Sequence, residues 1–199
     1  PIPHIEDMIM QLKDKKFFSQ IDLKNAYHQI KMNPESIKFT AFTSPMGNYE
    51  YIMCPYGLKN GPSVFQRAVH NLLSDLIRKG KVVVYLDDIL VPSSTVDENL
   101  KVVSEVLRRI RDADFEIRKE KCFFLQTKIN FLGYVIQENQ IKPTEEGVQG
   151  LTDFPVPDST RKVQSFLGLA SYFRKFIRDF SLIAKPLYQL LKKEEKFNF

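Results

Sequence analysis

Cysteine, histidine and long apolar runs are scarce in this chain, and each scarcity removes a class of reading. Cys54 and Cys122 lie far apart among 199 residues, and neither sits in a CxxC or His-bearing metal spacing. A disulfide framework and a zinc module are therefore set aside, and both thiols read as reduced, buried groups of an intracellular protein. His4, His28 and His70 fall on different segments, so they read as surface or packing residues and not as a metal site. No run of eighteen apolar residues occurs, which predicts no transmembrane helix and no membrane partner. The opening Pro1-Ile2-Pro3-His4 lacks the basic and apolar regions of a signal peptide, and the missing initiator Met suggests a piece of a longer polyprotein.

What is present is a chain that can fold. An apolar content of 43% over this length supports one compact core plus a smaller lobe, and argues against disorder. The formal charge of +5 is unevenly placed. From Ser159 onward there are nine Lys and Arg against three acids, a net of +6, which leaves about −1 for residues 1–158. A near-neutral body with a basic lobe suits an acidic centre beside a phosphate-tracking surface, although a basic helical tail alone has the same charge.

Periodicity supplies the elements. Ile5, Met8, Ile9 and Leu12 recur at helical spacing, and residues 17–23 read as a strand with Asp22 near its end. Residues 40–43 and 49–52 flank Ser44-Pro45-Met46-Gly47-Asn48 and predict a hairpin. Pro62 opens a helix carrying Val64, Phe65, Ala68, Val69, Leu72, Leu73, Leu76 and Ile77, which should run to Gly80. Two β-branched runs, 81–85 and 89–91, enclose Leu86-Asp87-Asp88, so the acids are expected at the tip of a tight hairpin. A second amphipathic helix spans 96–113 with Ser94 or Thr95 as N-cap, covering the same sheet. Residues 115–117 and 130–136 read as further strands, the latter returning through Glu138-Asn139 to Ile141. The two prolines of 152–158 mark a linker, and Asp158 or Ser159 can cap a helix bearing Val163, Phe166, Leu167, Ala170 and Phe173. With no βαβ repeat, the expected class is α+β, an antiparallel sheet with helices on one face.

The acids carry the chemistry. Two adjacent carboxylates raise one another's pKa unless a cation neutralises them, and Mg²⁺ favours such oxygen ligands together with substrate phosphates. If the strand ending in Asp22 pairs beside the Asp87-Asp88 hairpin, three carboxylates share one sheet edge and can hold two metals about 4 Å apart. Alone, an Asp-Asp pair is also what an ordinary surface turn contains.

The context is more specific. Tyr85-Leu86-Asp87-Asp88 between two strands resembles the YxDD signature of reverse transcriptases. Residues 18–30, with Ile21-Asp22-Leu23-Lys24-Asn25-Ala26-Tyr27, resemble that family's first catalytic block, and Pro55-Tyr56-Gly57-Leu58-Lys59-Asn60-Gly61-Pro62-Ser63-Val64-Phe65-Gln66 its nucleotide-pocket block. Phe131-Leu132-Gly133-Tyr134-Val135-Ile136 resembles the primer-grip hairpin, and residues 166–177 the first thumb helix of Ty3/Gypsy-type long-terminal-repeat retrotransposons. The resemblance covers essentially the whole chain. It implies a polymerase palm with partial fingers over 1–151, including the primer-grip hairpin near 130–142, then the 152–158 linker and a helical thumb start over 159–199.

The implied activity is RNA-directed and DNA-directed DNA synthesis with two Mg²⁺ ions, Mn²⁺ being a possible substitute. Asp22, Asp87 and Asp88 would be the catalytic metal ligands, with the Leu23 backbone nearby. Lys24, Asn25, Ala26 and Tyr27 would meet the incoming dNTP, the Tyr27 ring excluding a 2′-hydroxyl, and Tyr56 and Gly57 would line the same pocket. Tyr85, Leu132, Gly133, Tyr134, Gln164 and Gly168 would contact an RNA or DNA template-primer. The implied partners also include protease, ribonuclease H and integrase domains of one polyprotein, in the cytoplasm within a virus-like particle or in the nucleus. Two positions depart from the family's usual letters: Tyr56 is usually Phe, and Gly61 usually Ala, a change that loosens a helix start. The family's basic triphosphate-binding fingers residues lie upstream of a segment like Pro1-Ile2-Pro3-His4, so this piece alone is expected to polymerise poorly. A host-retained, non-catalytic nucleic-acid-binding module is the alternative, and intact Asp22, Asp87, Asp88 and Tyr27 weigh against it.

Overall fold

A computed structural model describes residues 3–137 and 140–192, and divides into two compact units, residues 1–129 with 137–139 and residues 130–136 with 140–199. This boundary falls earlier in the chain than the proline-marked stretch 152–158.

The first unit is built on an antiparallel four-stranded sheet. Its strands are β1 (Phe17–Asp22), β4 (Val83–Tyr85), β5 (Asp88–Ser93) and β6 (Phe123–Gln126), in the order β4-β5-β1-β6. A short separate hairpin joins β2 (Phe42–Ser44) to β3 (Gly47–Tyr49). Its strands begin closer to the turn than the periodicity suggested, because Thr43 and Asn48 pair and leave only Pro45-Met46 between the strand ends. The helices are α1 (Ile5–Met10), α2 (Pro34–Ile37), α3 (Gly61–Leu72), α4 (Ser74–Arg78) and α5 (Val96–Asp112). The single helix expected from Pro62 to Gly80 is interrupted at Leu73, whose φ of −111° and ψ of 13° are not helical. The residues flanking the break still share one apolar stripe, which is why the interruption is invisible in the letters.

Strand pleating assigns the two faces. Ile21, Ile89, Val84 and Val91 point to one side and pack with Phe65 and Val69 of α3, Leu73, and Val103, Val106 and Ile110 of α5. α5 starts on Thr95, whose side chain accepts the Glu98 N–H, with Asp97 and Glu98 in the first turn facing the positive helix end. Its fully buried Asn99 ties helix to sheet: the side chain accepts from Ser19 Oγ at 2.5 Å and donates to the Val91 carbonyl at 2.9 Å. Ser19 Oγ in turn accepts the Leu125 N–H at 3.0 Å, so one polar network spans β1, β5, β6 and α5.

The expected strand at 115–117 is reduced to a single bridge, Leu23 to Ile117, whereas β6 was not anticipated.

The second unit contains a three-stranded sheet in the order β7-β8-β9, with β7 (Lys128–Phe131) entering it, β8 (Tyr134–Gln137) and β9 (Gln140–Pro143). The Glu138-Asn139 return lies outside the described residues. Helices α6 (Glu145–Thr152), α7 (Thr160–Tyr172) and α8 (Phe180–Gln189) follow. α6 contains Gly147 and Gly150 and had no sequence signal, yet Thr144 caps it by accepting the Gly147 N–H at 3.2 Å. Gly147 is required by packing, since a Cβ there would lie 2.7 Å from Cζ of Phe173. Ser159 stands at the N-cap of α7 but makes no side-chain cap bond. Val163 and Leu167 of α7 bury against Ala184 of α8, with Phe180 and Leu187 around them.

Candidate active site

The β4–β5 hairpin turns through two residues, Leu86 and Asp87, because Tyr85 pairs directly with Asp88. Asp88 is thus the first residue of β5 and not part of the turn. Across the other edge of β5, Asp88 pairs with Asp22. Tyr85, Asp88 and Asp22 therefore form one lateral row on the sheet face opposite α3 and α5, with Gln20 beside them. The Leu23 N–H donates to the Asp87 carbonyl at 3.1 Å, which puts the Asp22–Asp88 pair at a non-hydrogen-bonded site, where facing Cα atoms approach to about 4.5 Å.

Like charges facing each other across a ladder are destabilising. Burial pushes the Asp22 carboxyl above its ordinary range, with Lys121 and Arg118 pulling it back and Asp87 adding to the rise. Asp88 is also raised by burial, relieved partly by the Gln20 amide, which donates at 2.9 Å, and raised again by Asp87 and Asp22. Asp22 is only 8% exposed, whereas Asp87 is exposed on the turn. Among the described residues no three acidic, His or Cys side chains form a ready-made ligand cage. An all-oxygen set of two or three carboxylates still fits Mg²⁺, which takes one or two protein carboxylates and completes its shell with water and phosphate oxygens.

The segment after β1 curls over this edge. Asn25 adopts a left-handed conformation (φ 45°), and a 3-10 turn, Ala26–Gln29, follows with Ala26 buried. Gln29 pins the curl, its side chain accepting the Glu116 N–H at 2.6 Å and donating to the Lys24 carbonyl. Lys24 Nζ pairs with Glu116 at 2.8 Å, both groups being largely exposed, so the ammonium is held only weakly. Tyr27 is half-buried between Tyr56, edge-on at 5.3 Å between ring centroids, and Phe65 at 5.6 Å. Its phenol pKa is raised by burial and then by Asp87, which places the ring within electrostatic reach of the acidic turn. Tyr56 is 62% exposed, and Gly57 has a φ of 91°.

In the second unit, Leu132 and Gly133 form the β7–β8 turn, both with positive φ (49° and 76°), and Tyr134 opens β8. Gln164 and Gly168 are exposed on α7, and nothing approaches within 4 Å of a Cβ built on Gly168.

Residues 1–136 match the family described as reverse transcriptase (RNA-dependent DNA polymerase). The chain belongs to the reverse transcriptase family. It is 39% identical over 198 residues to the retrovirus-related Pol polyprotein from transposon 297 of Drosophila melanogaster, covering 100% of this chain and 19% of that protein. It is 37% identical over 195 residues to the corresponding polyprotein from transposon gypsy of the same organism, covering 98% of this chain and 19% of the relative. The chain thus spans about a fifth of the length of these relatives. Among solved structures, the foamy viral protease-reverse transcriptase in complex with dsDNA superposes with a TM-score of 0.88 at 30% identity, over 100% of this chain and 42% of that one. Its complex with RNA/DNA hybrid gives 0.84 at 30% identity, over 98% and 26%. The mixed helix and antiparallel-sheet architecture is palm-like, and the kinship with gypsy-type retrotransposon polyproteins agrees with the sequence motifs.

The structure places further residues beside these acids to which sequence reasoning gave no role. Gln66, buried on α3, accepts the Leu86 N–H at 2.7 Å and donates to the Val84 carbonyl at 3.1 Å. Its amide behaves like a neighbouring strand along the free edge of β4, and it braces the turn where Leu86 takes a strained positive φ of 52°. Arg118 donates its N–H to the Asp22 carbonyl at 2.9 Å, and with Lys121 it supplies the cations that moderate Asp22. Gln66 closes the block that resembles the nucleotide pocket but had no role read for it, and nothing in the letters marks Arg118 or Lys121.

Proposed function

We propose that this chain is the catalytic core of an RNA- and DNA-directed DNA polymerase, joining a dNTP to a primer 3′-hydroxyl with the help of two Mg²⁺ ions. One observation carries the reading: two carboxylates from strands far apart in sequence face each other across β1 and β5, and burial and mutual repulsion disfavour their charge. Asp22, Asp87 and Asp88, with the Leu23 carbonyl, would hold the cations. When bound, such a pair supplies the charge that activates the 3′-hydroxyl and stabilises the transferring phosphoryl group and departing pyrophosphate.

The chain's own residues do the rest. Lys24, Asn25 and Ala26 receive the triphosphate, and Lys24 can leave its exposed pairing with Glu116 at little cost. Tyr27, supported by Tyr56 and Phe65, sits under the sugar and excludes a 2′-hydroxyl, with Tyr56 and Gly57 completing the pocket. Tyr85 and the Leu132-Gly133-Tyr134 turn orient the primer end, and the exposed Gln164 and Gly168 of α7 follow the duplex, where a missing side chain permits close approach. The foamy viral enzyme bound to dsDNA and to RNA/DNA hybrid supports a template-primer of either kind. The Pol polyprotein kinship supports companion domains on one polyprotein, and the foamy viral protease-reverse transcriptase supports a protease among them. No described helix is long and apolar enough to cross a membrane.

The test is Asp87→Asn in the complete enzyme. Mg²⁺-dependent primer extension should disappear while template-primer affinity stays near wild type; extension that persists refutes the mechanism.

A further inference from the structure

The second unit contains an aromatic clamp on its first hairpin that the reading above does not use. The β7–β8 turn is formed by Leu132 and Gly133, both left-handed, which is the arrangement of a two-residue type I′ hairpin. The branched Leu132 is disfavoured in that conformation on its own, so a contact that holds it there matters. The last residue of α7 makes one. The Tyr172 hydroxyl donates to the Leu132 carbonyl, and its ring lies so close over Gly133 that a Cβ there would meet the hydroxyl oxygen at 2.9 Å and Cε1 at 3.3 Å.

The clamp continues past the turn. Tyr172 stacks on Tyr134, ring centroids 5.4 Å apart at 18°, and Lys175 Nζ lies 4.1 Å from the centroid of Tyr134. Phe176 packs on Tyr134 at 5.8 Å, and Phe173 meets Tyr172 edge-on at 5.0 Å. The Gly133 carbonyl accepts the Thr144 N–H at 3.2 Å, tying the turn to the start of α6 as well. Each of Leu132, Gly133 and Tyr134 is thereby fixed to the C-terminal end of α7 or the segment just after it.

We infer that Tyr172 is a positioning residue for primer-end placement: through its hydroxyl and ring, the end of the duplex-tracking helix sets the orientation of the Leu132-Gly133-Tyr134 turn. The inference rests on reading residues 132–134 as the primer-positioning turn.

Single-turnover incorporation by the complete reverse transcriptase, with rates normalised to titrated active sites, tests it. Tyr172→Phe keeps the ring and removes the donor; the maximal rate should fall about five-fold, the loss expected for one ordinary hydrogen bond, while the dissociation constant for dNTP stays unchanged. Gly133→Ala should lower the rate further. Combining it with Tyr172→Phe should restore part of that loss, because the closest clash is with the hydroxyl oxygen that Phe lacks. An unchanged rate in Tyr172→Phe overturns the inference. So does a loss that vanishes after active-site normalisation, which would leave Tyr172 a purely structural residue. Wild type and Asp87→Asn are measured in parallel: no incorporation by the wild type removes the polymerase reading, incorporation retained by Asp87→Asn removes the carboxylate mechanism, and an active wild type and inactive Asp87→Asn beside an unaffected Tyr172→Phe remove the clamp alone.

Discussion

Replacing Gln66 with Leu keeps the size of a buried side chain and removes both hydrogen bonds to the β4 edge. The Val84 carbonyl faces away from β5 at a buried position, so its loss of a partner is paid nearly in full. The Leu86 N–H is half-buried and can recruit water, so its loss is partial. With about 1–3 kcal/mol for each orphaned buried group, the variant should be less stable by about 2–4 kcal/mol. The damage should also be local, because Leu86 holds its strained φ of 52° against that acceptor and the adjoining Asp87 and Asp88 depend on the turn. Urea denaturation of the complete enzyme should show a lower midpoint with an unchanged slope, and primer extension per folded molecule should fall as well. Gln66→Glu keeps the acceptor for Leu86 but sets a carboxylate against the Val84 carbonyl, so it should retain more turn function than Leu only at pH low enough to protonate it. A Gln66→Leu protein within about 0.5 kcal/mol of wild type, with full activity, would show that the amide is not the brace described.

Asp22→Asn and Asp88→Asn should abolish extension yet raise metal-free stability at neutral pH by roughly 1 kcal/mol or less, the size of a relieved cross-strand repulsion. The sign with pH is set by the raised carboxyls, which hold protons more tightly folded than unfolded. The penalty is therefore absent at acid pH, grows as pH rises through the carboxylate range and is complete above the raised values, so the melting-temperature gap in a chelator should close on acidification. Gly61→Ala should stabilise by about 0.5–1 kcal/mol, read by thermal melting, since a Cβ there meets Cys54 Sγ at 3.7 Å and Tyr27 Cδ1 at 3.8 Å, ordinary contact distances at a helix start. Asn99→Leu strips partners from Ser19 and the Val91 carbonyl in the core and should cost about 2–4 kcal/mol in denaturant titration.

Much of this arrangement is legible in the letters because the signals are local. α5 combines an apolar stripe with a Thr95 cap, and the hairpin carrying Asp87 and Asp88 is flanked by β-branched runs. Other elements are strands or helices only through their surroundings. β6 has Phe123 and Phe124 largely exposed and no alternation, and it is a strand because β1 offers Phe18 and Gln20 as partners. α6 carries two glycines that propensity counts against a helix, yet the Phe173 ring requires one of them to be small. Gln66 belongs to the block that resembles the nucleotide pocket, but periodicity makes it one more polar residue on an amphipathic helix and does not announce that it turns inward to an edge strand. The facing of Asp22 and Asp88 depends on β1 being inserted between β5 and β6, a long-range pairing that motif resemblance suggested and periodicity alone did not specify.

The central claim is that these two facing acids share a task, and Asp22 tests it best because it reaches the site from the other strand. Single-nucleotide incorporation by the complete enzyme should be measured across a Mg²⁺ titration for wild type and Asp22→Asn, with template-primer binding followed in parallel. The variant should bind template-primer normally and show no incorporation at any Mg²⁺ concentration. Incorporation at the wild-type rate with an unshifted Mg²⁺ dependence would contradict it.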